Sequence, residues 1–279
     1  MKILGAIMDK LELGIELYKN GLPLLRAAKE AGVGINRLNR TLKNHGLMRS
    51  NKVNSRKYSL NHSFFEQINN EETAYWLGFL YADGYITQSK YAKYVGLSLG
   101  YKDEPHLLKF QHAIQATYPI GHYETTSWGV KVQYSRLLLT SDKMFDDLTN
   151  KGAIERKSLV LSFPHNSIVP ANLRHHFIRG YFDGDGSFSK SPTSIYAFRL
   201  CGTEQFLRTL SEYIGHSNVP LYKRHKNEKN TWHIDIGGRV QVKAIGDFMY
   251  KDSKVFLDRK YHRYQELVSH DQSPHDCQH

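Results

Sequence analysis

The sequence predicts an α+β body made of two tandem αββαββα repeats, with a small all-helical domain in front of it. Three observations carry this expectation. The segment Ala74-Tyr75-Trp76-Leu77-Gly78-Phe79-Leu80-Tyr81-Ala82-Asp83-Gly84 recurs 102 residues later as Phe177-Ile178-Arg179-Gly180-Tyr181-Phe182-Asp183-Gly184-Asp185-Gly186. Each copy is followed by the same order of signals: a turn, a β-rich pair, a helix, a second β-rich pair and a closing helix. Positive charge is concentrated ahead of both copies: residues 1–60 hold twelve Lys/Arg against four Asp/Glu, a balance of +8 out of a net +11.

A chain of 279 residues, 40% of them apolar, has room for two or three separately cored domains and is too apolar for general disorder. The expected organisation is a helical domain over residues 1–50, a basic linker over 51–70, a first repeat over 71–165, a second repeat over 166–270 and a disordered tail over 271–279. The longest uncharged, mostly apolar run, Ala74 to Ala82, falls far short of the ~20 residues that cross a bilayer. The opening Met1–Met8 is too short an apolar run for a secretory signal and reads as part of a helix. Cys201 and Cys277 are too few for a disulfide framework or a four-cysteine zinc site. An intracellular home in cytoplasm, nucleoid or organelle matrix is expected.

In the N-terminal domain the apolar spacing predicts helices over Leu11–Tyr18, Leu24–Glu30 and Ile35–His45, with Pro23 in a first turn and Gly32 and Gly46 as stops. Ala28 is small where two helices would cross, and Val33, Leu38 and Leu42 would face the core. Asn36, Arg37, Asn39, Arg40 and Lys43 remain on the outer side of the last helix. The run Ala27–Leu42 resembles the helix-turn-helix DNA readers of the resolvase type, in which such side chains reach base edges and phosphates. A helical cap with no partner is the alternative. Nine basic residues against one acid between Pro23 and Lys57 favour DNA.

In the repeats, strands are expected at Tyr85–Gln88, Tyr94–Gly100, Ile120–Thr125 and Gly129–Leu138, then at Phe188, Ile195–Cys201, Leu221–His225 and Thr231–Ile236. Helices fall at Glu104–Ala116, Asp142–Asn150, Glu204–Ile214 and Val240–Met249. Gly78 and Ala82, like Gly180 and Gly184, lie four apart on one helical face, where small residues let two helices meet backbone to backbone. Gly84 and Gly186 stand where a left-handed residue would end each helix. Asp83 and Asp185 then occupy last turns, where carbonyls already concentrate negative potential. Two acids at the ends of packed helices repel each other, and a divalent cation relieves that repulsion. The alternative for each acid is an Asp-Gly turn former.

Trp76–Gly84 and Ile178–Gly186 resemble the two signature helices of the LAGLIDADG homing endonucleases, and the resemblance extends over residues 71–270. It implies a pseudo-twofold monomer with a saddle of two curved sheets over a long double-stranded DNA target. It further implies Asp83 and Asp185 as ligands of Mg²⁺ or Mn²⁺, with the carbonyls of Ala82 and Gly184 as further donors, and hydrolysis of both strands. A basic residue late in each repeat orders metal-bound water in this family, and Lys157 and Lys260 fit that place, each preceded by an arginine, Arg156 and Arg259. The sixth motif position departs from symmetry, Tyr81 against Asp183, so Asp183 is read as a structural acid. No intein splice motif is visible, so an intron-encoded or free-standing origin is expected. Maturases acting on intron RNA and regulators that bind DNA without cutting share this fold and are the alternatives.

Alternation along Trp128–Arg136 would put Lys131, Gln133 and Ser135 on a polar, DNA-facing side and Val130, Val132 and Tyr134 on the other. In the second repeat Arg199, Arg224, Lys226 and His233 are the corresponding contacts. Asp183–Ser187 is not a calcium loop, because Phe188 and Ser194 stand where Gly and Glu are required. His270, His275, Cys277 and His279 read as a disordered terminus rather than a soft-metal site.

Overall fold

The computed structural model describes residues 9–20, 22, 24–47, 57–127, 129–153, 160–190 and 196–269. The expectations for Met1–Met8, Pro23, residues 51–56, Trp128, Arg156, Lys157 and the tail from His270 lie outside the described residues. The chain divides into two compact units, Met1–Tyr58 and Ser59–His279.

The first unit contains α1 (Lys10–Lys19), α2 (Leu24–Glu30) and α3 (Ile35–Asn44). A reciprocal capping box of Asp9 and Glu12 starts α1. Tyr18, Ala27, Ala28, Leu38 and Leu42 form its core. Gly32 turns the chain between α2 and α3 at φ 64°, a conformation that penalises any Cβ. Asn36, Arg37, Arg40 and Lys43 are exposed on α3. Asn39 departs from expectation: it is half-buried, and its Oδ1 is enclosed without a partner. It lies four residues from Ile35 and three from Leu42, at the edge of the apolar stripe rather than opposite it.

The second unit begins with α4 (Glu71–Ala82), β1 (Gly84–Gln88), β2 (Lys93–Gly100), α5 (Glu104–Ala113), β3 (Gly121–Ser127), β4 (Val130–Thr140) and α6 (Asp142–Asn150). It continues with α7 (Arg174–Asp185), β5 (Gly186–Lys190), β6 (Tyr196–Gly202), α8 (Glu204–Tyr213), β7 (Trp232–Gly237), α9 (Arg239–Tyr250) and α10 (Asp258–Ser269). Asn70 caps α4 by accepting from Thr73 N at 3.0 Å, and every residue from Thr73 to Tyr81 is buried. A helix apolar all round belongs in an interior, and α4 and α7 form the centre of one continuous core. A Cβ on Gly78 would lie 2.9 Å from the Phe177 carbonyl carbon and 3.0 Å from Tyr181 N. One on Gly180 would lie 2.9 Å from both Phe79 N and the Tyr75 carbonyl carbon. The two helices therefore touch through backbone, as the small-residue spacing predicts.

Antiparallel sheets flank this pair, ordered β1-β2-β4-β3 in the first repeat and β5-β6-β7 in the second. The strand expected at Leu221–His225 is only an isolated bridge between Tyr222 and His233. Its charged sequence folds back on itself instead: Glu228 accepts from Arg224 N at 2.9 Å, and Lys223 Nζ donates to the carbonyls of Glu228 and Lys229 at 2.9 and 2.7 Å. The polarity of β4 is also inverted relative to expectation. Leu137 and Leu139 are buried and set the phase, so counting back by twos puts Ser135, Gln133 and Lys131 on the helix-covered side. Ser135 is fully buried there. Lys131 and Gln133, near the start of the strand, stay exposed, and Lys131 pairs with Glu124 at 2.9 Å. The open side carries Val132, Tyr134 and Arg136. α10 continues the chain beyond the expected closing helix. No described helix is long and apolar enough to cross a membrane.

Two buried histidines tie fold to pH. Burial pushes both His106 and His176 down to about 3. His176 Nδ1 accepts from Arg179 Nη1 at 2.8 Å, which requires the neutral ring. Both histidines take up a proton near 6.5 only when the chain unfolds, so stability is complete above that pH and falls as pH drops toward 3. Denaturant midpoints are expected to fall between pH 7.5 and 5. His106→Gln should flatten that fall, and an equal fall in the variant would remove His106 from the account.

Candidate active site at the paired helix ends

Both motif acids stand where a signature helix hands over to a strand. Asp83 caps α4 with ordinary right-handed angles (φ −93°, ψ −13°) and is exposed, and Asp185 is the half-buried last residue of α7. The left-handed terminators expected at Gly84 and Gly186 are absent: Gly186 is extended (φ −102°, ψ 174°), and both glycines begin strands. They are needed for closeness instead. A Cβ on Gly84 would sit 2.7 Å from Leu80 Cα, and one on Gly186 2.8 Å from the Phe182 carbonyl oxygen. Because each chain passes directly from helix to strand, the acids are held at the seam between helix pair and sheet. Asp83 also approaches the end of the second helix, its Oδ2 lying 3.4 Å from where Gly184 would carry a Cβ.

Lys260, in the first turn of α10, reaches into this seam. It is buried, and its Nζ donates to the carbonyls of Phe182 and Asp183, both at 2.7 Å, and of Gly184 at 3.3 Å. These oxygens end α7, where the Phe182 carbonyl also accepts from Gly186 N, so the ammonium meets the negative end of the helix. Burial pulls its pKa down to about 8, against the attraction of Asp183, Asp83 and Asp185. Its neighbour Arg259 points elsewhere, pairing through Nε with Asp103 at 2.9 Å. Of that Arg-Lys pair it is the lysine that reaches the end of α7. Lys157 lies outside the described residues.

Asp183 is set apart from the other two acids. It is fully buried, and burial raises its pKa. Its Oδ2 accepts from Tyr75 Oη at 2.7 Å and Leu257 N at 2.8 Å. Tyr181, buried beneath Asp185, has its phenol pushed far up by burial and then by that acid, and donates to the Cys201 carbonyl at 3.0 Å.

The donor set suits a hard cation: two carboxylates and helix-terminal carbonyls, all oxygen. Among the described residues no three of His, Cys, Asp and Glu converge on one point, so a cation here takes its remaining ligands from water or phosphate. Of the other candidates, Arg199 lies beside the seam on β6, paired with Asp235 at 2.7 Å and donating to Ser189 Oγ at 3.0 Å. Arg224 and Lys226 are exposed in the folded-back loop. His233 does not qualify as a contact: it is only 6% exposed, covered by that loop, with its Nε2 3.6 Å from Glu228. Residues missed from sequence are Arg136, Tyr134 and Tyr123 on the open face of the first sheet, where Arg136 stacks 4.2 Å above the Tyr123 ring and the two tyrosines stack at 5.4 Å. The buried Leu137 and Leu139 were the signal that would have found them.

The segment from just before α7 into α9 matches the family model described as a LAGLIDADG-like domain. The match spans residues 172–247. The match contains the second motif with Asp185, and the first motif, with Asp83, precedes it in the chain. No curated protein shows detectable sequence similarity to the chain. Among solved structures, the meganuclease I-SmaMI bound to uncleavable DNA is similar at 13% identity and a TM-score of 0.47, over 70% of this chain and 89% of that one. The LAGLIDADG homing endonuclease I-GzeII in complex with its DNA target is similar at 12% identity and a TM-score of 0.46, over 72% and 89%. At such identities and TM-scores the likeness rests on the family match over residues 172–247.

Proposed function

We propose that this chain is a divalent-metal-dependent endonuclease that cuts both strands of a long, specific duplex DNA site as a monomer. The observation that carries this is the placement of Asp83 and Asp185 at the ends of two helices packed backbone to backbone, with Lys260 on the terminal carbonyls of the second. One chain supplies both acids, so a single copy has a site for each strand. Asp83, Asp185 and the carbonyls of Ala82 and Gly184 would hold Mg²⁺, which supplies charge neutralisation at the scissile phosphates and a more acidic bound water. Lys260 holds the end of α7 in place and adds positive charge beside the metal site, as Lys157 would in the first repeat. Arg199, Arg136 and Tyr134 lie on open sheet faces suited to a duplex. The deciding experiment is cleavage of a randomised duplex library with Mg²⁺, which reports activity and target together. A maturase or a non-cutting regulator would leave the library intact.

The first unit is proposed to add DNA affinity through Asn36, Arg37, Arg40 and Lys43 rather than chemistry. Removing residues 1–58 should shorten the footprint and flatten the salt dependence of binding, because fewer counterions are released. A base contact by Arg37 or Arg40 contributes on the order of 1–3 kcal/mol. Cutting should persist at higher protein concentration. An unchanged footprint and salt slope would make the three helices a structural cap.

A further inference from the structure

We infer that Asp183, Glu71 and Arg179 are positioning residues that hold the segment between α9 and α10 so that Lys260 is delivered to the Asp185 end of the site. The segment has no regular structure, yet its backbone is tied at four points, and the end of α9 at a fifth, to side chains of the two signature helices. Arg179, fully buried, donates from Nη1 to the Met249 carbonyl at 2.8 Å and from Nε to the Val255 carbonyl at 2.9 Å. Glu71 Oε1 accepts from Lys254 N at 2.6 Å and Val255 N at 3.0 Å, and receives Arg179 Nη2 at 2.7 Å. Asp183 Oδ2 takes Leu257 N at 2.8 Å. Three residues later Lys260 meets the carbonyls of Phe182, Asp183 and Gly184. Asp183 thus works from both ends, since its side chain holds the approach and its own carbonyl receives the lysine.

Such investment in a loop is costly unless position matters. Burying a carboxylate and a guanidinium carries a desolvation penalty that apolar side chains would avoid. Tyr75 Oη, which donates to Asp183, accepts from His106 Nε2 at 2.9 Å and leaves His106 Nδ1 enclosed without a partner, so the network is specified even at the cost of an orphaned atom. In the first repeat the same motif position is Tyr81, which donates to the Lys151 carbonyl, whereas Asp183 accepts from a backbone N–H. The two halves are therefore held by different chemistry, and disturbing Asp183 should affect one half.

The inference rests on the nuclease function proposed above, and the test separates the two. Nicking of each strand of the library-selected duplex is followed for the wild-type chain and its variants. Lys260→Met identifies the strand that Lys260 serves. Asp183→Ala should slow that same strand by about 10- to 100-fold, the cost of a misplacement of ~1 Å, with the other strand changed several-fold less. Asp183→Asn keeps an oxygen for Leu257 N and should restore most of the rate. Hydrogen exchange should show faster amides at Lys254, Val255 and Leu257 in Asp183→Ala but not in Asp183→Asn. Should Asp183→Ala fail to fold, Glu71→Ala, which frees the segment at Lys254 and Val255, is expected to show the same strand bias. Equal slowing of both strands, or a variant with loosened amides and an unchanged strand ratio, overturns the positioning role while leaving the nuclease intact. A wild-type chain that nicks neither strand overturns both.

Discussion

Asp185→Asn and Asp83→Asn should each abolish double-strand cutting, by roughly 10³-fold or more, while DNA binding measured in Ca²⁺ falls only a few-fold. A metal contributes several kcal/mol of charge stabilisation at a phosphoryl centre, and every ~1.4 kcal/mol is tenfold in rate. The amide keeps the shape of the carboxylate but not the charge that holds a hard cation. Thermal stability supplies an independent sign. Each acid adds negative charge at a helix C-terminus, which is unfavourable, and Lys260 at the end of α7 offsets it. The Asn variants should therefore melt close to the wild type in metal-free buffer. Wild-type cutting by either variant would refute the metal assignment, and a large loss of stability would make the acids structural.

Gly78→Ala and Gly180→Ala should produce the largest loss of stability available from a single methyl group in this protein. The added carbon would lie about 2.9–3.0 Å from backbone atoms of the opposite helix, at Phe177 and Tyr181 for Gly78 and at Tyr75 and Phe79 for Gly180. Backbone cannot rotate aside as a side chain can, so the helices must part along their length. Overpacking costs ~1–3 kcal/mol where side chains can yield, and this site stands at the upper end. For a unit of this size ~3 kcal/mol corresponds to about 6–12 °C in Tm. Separation also moves Asp83 relative to Asp185, so cutting should fall faster than binding. An unchanged Tm in both variants would show that the helices have slack the close approach does not suggest.

Much of this was legible in the amino-acid order because it is local or repeated. The two signature helices, their small residues four apart, the acids at their ends and the three N-terminal helices follow from short-range spacing. The 102-residue repeat placed the halves in correspondence. Other features turn on which of two locally equivalent alternatives the packing selects. Alternation along β4 is the same on either phase, and only the burial of Leu137 and Leu139 decides that Lys131 and Gln133 lie on the helix side while Tyr134 and Arg136 face outward. Arg259 and Lys260 are neighbours of like charge, but successive residues of a helix point about 100° apart. One therefore meets Asp103 and the other the end of α7. His233 lies on a polar strand face, yet a loop held by Glu228 covers it. Gly84 and Gly186 were recognisable as required glycines, but the reason is the nearness of Leu80 and Phe182 rather than a left-handed turn. The sequence by itself determined the elements, their duplication and the residues able to hold a cation, since these depend on contacts a few residues apart. Only the tertiary structure decided which faces are open and how Asp183 holds the approach to Lys260, because those contacts join residues more than seventy positions apart and no periodicity encodes them.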